Sequence, residues 1–207
     1  VDIGVYGHWG QHYDFTFAKR TIPHNALLVY DPDEKFAVPG NDGGQRFVKT
    51  MPWTIRQVID HPEIHSTGRL AAHYAGPAAA RPLFSHIKGD IAAAYSPHKM
   101  KEYERSFVFC RLDNPETPAL LIVYDHVVSA RPEFRKYFLL NTIARPELME
   151  NAVRVENSLP GGKPGELFVT TLLPRRDNLE VTTAGDGRAL EFFNEKVEMP
   201  PRNRMLS

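Results

Sequence analysis

Short runs of alternating apolar and polar residues, cut by turn signals roughly every ten residues, constrain this chain more than any other feature. A strand buried on one face repeats every second residue, because successive side chains point to opposite sides of a pleated sheet. Tyr13 to Lys19 alternates in this way, with Tyr13, Phe15 and Phe17 on one face. Ala26 to Tyr30, Arg69 to Ala75, Asp90 to Tyr95, Tyr103 to Leu112, Ala119 to Val128, Phe134 to Thr142 and Glu166 to Leu173 read as further strands. Leu120 to Val123 is apolar at every position, which predicts an interior strand covered on both faces. Asp113-Asn114-Pro115, Ala130-Arg131-Pro132, Pro160-Gly161-Gly162 and Gly185-Asp186-Gly187 supply the turns. Only Thr54 to Ile59 reads as helix. The pattern predicts an all-β fold, an antiparallel β-sandwich with less than about a tenth of its residues in helix.

At 207 residues and 42% hydrophobic, the chain can bury one full core. We read residues 1–175 as a β-sandwich domain and 176–207 as its final strands and Pro-rich C-terminal tail. Lysine plus arginine equals aspartate plus glutamate, 25 of each, so no global field recruits nucleic acid. An anionic partner must therefore be met by a local group of Arg, Lys and His. No apolar run reaches the length of a membrane span. The single cysteine, Cys110, falls in the apolar run Phe107-Val108-Phe109 and reads as a small core residue. The start, Val1-Asp2-Ile3-Gly4, has no signal-peptide pattern and reads as the middle of a longer polypeptide.

Several stretches carry chemistry. Lys19 to Glu34 sets His24 and Asn25 at the entrance of the apolar run Ala26 to Tyr30, which ends on Asp31-Pro32. A side chain at a strand entrance is held rigidly and can face a cleft. Residues 31–66 hold few strand signals, and a long polar loop of that kind is usually functional. Within it, Asn41-Asp42-Gly43-Gly44-Gln45-Arg46 pairs glycines with two side chains, Gln45 and Arg46, able to fork onto a carboxylate or sulfate. Tyr6, His8, Trp9, His12 and Tyr13 cluster aromatic rings with imidazoles. Rings stack on sugar faces, and Tyr and His are the usual proton carriers where a site tunes their pKa. Lys99, Lys101, Arg105, Arg131, Arg135 and Lys136 form a basic set. Lys99, Lys101, Tyr103 and Arg105 fall on one alternating face, which reads first as a solvated sheet surface. No Gly-x-Ser-x-Gly elbow supports a serine nucleophile.

Taken in order, the His24-Asn25 segment, the Gly43-Gly44 loop, Ile87-Lys88-Gly89-Asp90-Ile91 with Tyr95-Ser96, and Leu121 to Val127 followed by Phe134 to Leu140 resemble the C-terminal β-rich half of the heparinase II/III-like polysaccharide lyases. The resemblance runs from Val1 to about Leu173. It implies β-elimination on a uronic-acid-containing polysaccharide such as a glycosaminoglycan, in the periplasm or outside the cell. It also implies an N-terminal α/α toroid that has no counterpart in this sequence. The partners implied are an acidic polysaccharide and either that toroid or a second copy of the chain. Asp2-Ile3-Gly4 and Pro23-His24-Asn25 look like two zinc-ligand motifs of the family, so the resemblance assigns Asp2 and His24 to zinc, with a further histidine preceding Val1. Tyr13, Tyr6 and His12 are then the candidate catalytic residues, and Trp9, Gln45 and Arg46 the candidate substrate-binding ones. The competing reading is a non-catalytic carbohydrate-binding or structural β-sandwich module.

Overall fold

The computed structural model describes residues 17–36, 40–46, 54–62, 66–78, 80–142, 144–157 and 165–183. The fold is all-β and antiparallel, as the alternation and turn spacing predict. The longest described helix, α1 (Ile55–Asp60), has six residues. It is capped by Thr54, whose Oγ1 accepts the Gln57 backbone N–H at 3.2 Å. Among the described residues no helix is long and apolar enough to cross a membrane.

The residues fall into two compact units built from interleaved segments. One comprises Val1–Leu28, Val38–Asp42 and Tyr137–Ser207; the other comprises Val29–Ala37 and Gly43–Lys136. Strand β1 (Leu27–Tyr30) pairs with β6 (Arg135–Phe138) in a two-stranded sheet.

The first unit holds a small core in which Phe17, Ile22 and Leu28 pack with the partly buried Tyr137 and Leu139. Beside this core lies a buried ion pair, Arg20 Nε to Asp42 Oδ2 at 3.0 Å and Nη2 to Oδ1 at 2.8 Å, with Nη2 also donating to the Gly40 carbonyl. Phe17 and Ala18 lie in a helical turn instead of the strand expected over Tyr13 to Lys19, and the Arg20 N–H donates back to the Phe17 carbonyl. That turn swings the Arg20 side chain inward to meet Asp42. A three-stranded antiparallel sheet, β7 (Glu147–Leu148), β8 (Val153–Asn157) and β9 (Gly165–Val169), completes this unit. Of the final strands expected beyond residue 175, the described part, 176–183, contains a 3-10 turn (Arg176–Asn178) and no strand.

The second unit is organised by a four-stranded antiparallel sheet in the order β2 (Arg69–Gly76), β3 (Phe84–Asp90), β4 (Met100–Arg111), β5 (Ala119–Ser129). The β4–β5 turn forms where Asp113-Asn114-Pro115 predicts it, with Asn114 Oδ1 accepting the Glu116 N–H at 2.9 Å. The strand expected over Asp90 to Tyr95 ends instead at Asp90. Its Oδ1 accepts the Ala92 N–H at 3.3 Å, and Ala92–Ala94 coil into a 3-10 turn, since three alanines offer no branched side chain to favour a pleat. Burial along β4 changes midway: Met100, Tyr103 and Arg105 are buried, whereas Phe107 and Phe109 are exposed. Leu120 to Val123, expected inside the sheet, lie on the outermost strand β5 and are exposed. Cys110, expected in the core, is half-buried on β4.

Gly43 closes the approach between the loop and β1. It adopts a φ of +69°, its carbonyl accepts the Val29 N–H at 2.8 Å, and an added Cβ would sit 3.1 Å from the Val29 and Tyr30 backbone. Both left-handed conformation and space exclude a side chain here. Gly43→Ala is expected to destabilise the protein by about 1–3 kcal/mol, the usual cost of a strained backbone residue. A melting temperature unchanged from wild type would refute this.

Candidate functional site

A buried polar arrangement lies in the second unit, around a lysine with no solvent exposure. Lys99 follows a tight turn in which its own N–H and that of Met100 donate to the Ser96 carbonyl, at 3.1 and 3.0 Å. The side chain is carried into the interior, 0% exposed. An ammonium cannot be buried without compensation. Here it donates to Glu34 Oε2 at 2.5 Å and to the Gly44 carbonyl at 2.6 Å, while the rings of Phe36 and Tyr95 lie 5.3 and 5.7 Å from Nζ. One cation thus gathers segment 34–36, the glycine loop and the residues just before β4.

The arrangement continues along β4. Tyr95 meets Tyr103 edge to face at 5.6 Å, and the Arg105 guanidinium lies 5.7 Å from the Tyr103 ring. Arg105 donates a two-point fork to Asp125 on β5, Nε to Oδ1 and Nη2 to Oδ2, both at 2.7 Å. Register explains the fork, because Arg105 and Asp125 are directly paired across the two strands. The Tyr103 hydroxyl is buried with no hydrogen-bond partner of good geometry among the described residues. Burial pushes this phenol well above the ordinary tyrosine range; Arg105 opposes the shift, and Asp125 and Tyr95 add to it. Arg105 stays charged, its pKa raised by Asp125 and Tyr103 against the effect of burial.

The basic alternation Lys99, Lys101, Arg105 is therefore not the solvated track that its spacing suggests. Lys99 and Arg105 are buried and paired, and only Lys101 is exposed. A register shift between Met100 and Glu102 breaks the simple alternation at that point. Glu34, Phe36, Tyr95 and Asp125, which complete the arrangement, carry no local signal of it, although Tyr95 and Asp125 lie in stretches noted for other reasons.

Of the residues proposed for binding sugar, Gln45 is exposed and Arg46 half-buried at the end of the loop that Lys99 anchors through Gly44. The Arg46 backbone N–H donates to the Ala94 carbonyl at 2.8 Å, which fixes the loop's exit. Asp2, Tyr6, His8, Trp9, His12 and Tyr13 lie outside the described residues, as do Trp53 and His65.

In the first unit, His24 sits at the entrance of β1 as expected, half-buried, with Nε2 3.2 Å from the Ala18 carbonyl. A carbonyl only accepts, so Nε2 is the donor in this contact. The neighbouring Asn25 accepts the Asn141 N–H at 2.6 Å and ties the segment after β6 to this turn. A single imidazole is not a zinc site, and among the described residues no group of three or more His, Cys, Asp or Glu could hold a metal.

No known family model matches the chain. A search of curated proteins likewise returns no match.

Lys99→Met leaves Glu34 buried without its cation and is expected to cost about 3–5 kcal/mol; the Lys99→Met, Glu34→Gln double variant should recover part of that loss. Denaturant melts of the three proteins check this, and a single variant as stable as wild type would remove Lys99 from its organising role. Tyr103→Phe, which deletes a buried hydroxyl beside Asp125 that lacks a well-formed hydrogen bond, is expected to leave stability unchanged or raise it by about 1 kcal/mol. A raised folded-state pKa gives stability that is fully present below the ordinary tyrosine value of 10.0 and is lost as pH rises above it, because the unfolded chain ionises first. Wild type should therefore lose stability above that pH more steeply than Tyr103→Phe; parallel curves would contradict the assignment.

Proposed function

We propose that this chain supplies the β-sandwich part of a polysaccharide lyase that cleaves a uronic-acid-containing polysaccharide by β-elimination, together with an α/α toroid, in the periplasm or outside the cell. The reading rests on the ordered motifs of the sequence. The observation that carries it furthest is the loop Gly43–Arg46, anchored through the Gly43 and Gly44 carbonyls and the Arg46 N–H, with Gln45 exposed and Arg46 half-buried beside it. Rigid display favours recognition of a carboxylate, because little side-chain and loop freedom is lost on binding. Arg46 would neutralise the uronate, with Gln45 as its hydrogen-bonding neighbour. Trp9 would stack on a sugar. Tyr13, Tyr6 and His12 are the proposed proton carriers. One takes the proton beside the carboxylate, the double bond forms as the glycosidic oxygen leaves, and a second returns a proton to that oxygen. His24 and Asp2 are the proposed zinc ligands.

The test is incubation of the chain with heparin, hyaluronan and alginate. Binding is measured by affinity electrophoresis, and the unsaturated product by its ultraviolet absorbance. Binding to at least one polymer, weakened about tenfold or more in Arg46→Ala by loss of a charge-assisted fork, is the expected result. Retention of none of the three would overturn the proposal. Binding with no product, even when a family toroid is supplied, would favour the non-catalytic module. For the zinc assignment, His24→Ala should lower the melting point more than His73→Ala, since His73 is exposed on β2 and His24 loses at least one hydrogen bond worth about 1 kcal/mol. Elemental analysis finding no zinc, with equal melting points for the two variants, would remove His24 from any such role.

A further inference from the structure

At the far end of the four-stranded sheet, large apolar side chains of β4 and β5 are exposed. Among the described residues β5 pairs only with β4, so one side of an eleven-residue strand presents unpaired backbone donors and acceptors. Natural edge strands are usually blunted by Lys, Pro, a bulge or shortness. Leu120 to Tyr124 carries no such device, and its register with β4 shifts only at the opposite end, between Met100 and Glu102.

Both faces are apolar at this edge. Leu121 and Val123 lie opposite Phe109 and Phe107 on one face, while Leu120, Ile122 and Tyr124 occupy the other. These side chains are 37–55% exposed. Exposed apolar side chains continue on the neighbouring strands, Ile87 on the first face and Tyr74 and Phe84 on the second.

We infer that this edge is the dimer interface of the protein, formed by antiparallel pairing of β5 with β5 of a second copy about a two-fold axis at Ile122. Two features choose a second copy over another partner. Centring the pairing at Ile122 sets Leu121 opposite Val123 and Leu120 opposite Tyr124, apolar against apolar on matching faces. Shifting the centre by one residue to Val123 sets Leu121 against Asp125, which is already committed to Arg105. An isologous contact needs this self-complementarity. The chain also carries no net charge, so two copies approach without mutual repulsion. The product is one continuous sheet with four strands from each copy. Its outer edges are the shorter β2 strands, each with a register shift between Leu70 and Ala72.

Sedimentation velocity and light scattering over a concentration series read the result. Wild type should be a dimer, and Leu121→Lys or Ile122→Lys should weaken dimerisation about 30-fold or more, the scale of an interface hot spot, with an unchanged far-ultraviolet spectrum. Leu70→Lys, on the opposite edge strand and equally exposed to a new charge, should leave the dimer intact. Should the lysine variants fail to fold, Ile122→Cys in a Cys110→Ser background decides. Mild oxidation is then expected to give a disulfide-linked dimer through Cβ atoms brought close across the axis. A wild-type monomer at all concentrations, a dimer indifferent to both β5 lysines, equal loss with Leu70→Lys, or no disulfide dimer from the Ile122→Cys protein would each overturn the inference. Polysaccharide binding is measured separately, so failure here leaves the proposed function standing, and the reverse also holds.

Discussion

A lysine taken wholly out of water is the constraint on which the second unit depends. Lys99 can be buried only if an anion, a carbonyl and a polarisable surround are all in place, and Glu34, Gly44, Phe36 and Tyr95 supply them from separate parts of the chain. Holding that cation therefore closes two loops at once. The glycine loop can approach closely because Gly43 has no side chain to strike the β1 backbone. The chain from Ala92 to Lys99 can turn sharply because alanines and Ser96 permit it. Burial of one charge becomes a statement about the order of the loop that carries Gln45 and Arg46.

The second ion pair, Arg105 with Asp125, does a different job. It sits where β4 passes from buried to exposed, with Tyr103 on the inner side and Phe107 on the outer. A forked, two-point bond between directly opposed residues holds β4 and β5 in register at that boundary. Beyond it the strands stay aligned, and their apolar side chains, Phe107, Phe109 and Leu120 to Tyr124, are exposed. The same two strands thus serve as interior at one end and as an open edge at the other.

Much of the fold was legible from local pattern. The turn at Asp113-Asn114-Pro115, the short helix read over Thr54 to Ile59 and strands β1, β2, β4 and β5 form where periodicity and turn chemistry put them. Strand β3 was not, because Phe84-Ser85-His86-Ile87-Lys88-Gly89-Asp90 has no clean alternation and owes its state to two flanking strands. Strand β8 does alternate, Val153-Arg154-Val155-Glu156, and that signal was available but short. Of the site residues, His24 lies at the strand entrance that the flanking Pro23 and apolar run indicate. Gln45 and Arg46 end the polar loop, as their neighbouring glycines suggest.

What the sequence determined by itself is the class of structure: period-two alternation and frequent turns leave an antiparallel β fold as the consistent way to bury this chain's apolar residues. It also marked where glycine is indispensable. Only tertiary structure decided which charges are interior. Lys99 and Arg105 look alike in sequence to Lys101, and pairing across 65 residues to Glu34 or 20 to Asp125 separates them. Tertiary structure likewise decided that Leu120 to Val123, as apolar as any core strand, stands at the edge of its sheet. Apolar sequence specifies that a strand be covered; strand order determines whether the same chain does the covering.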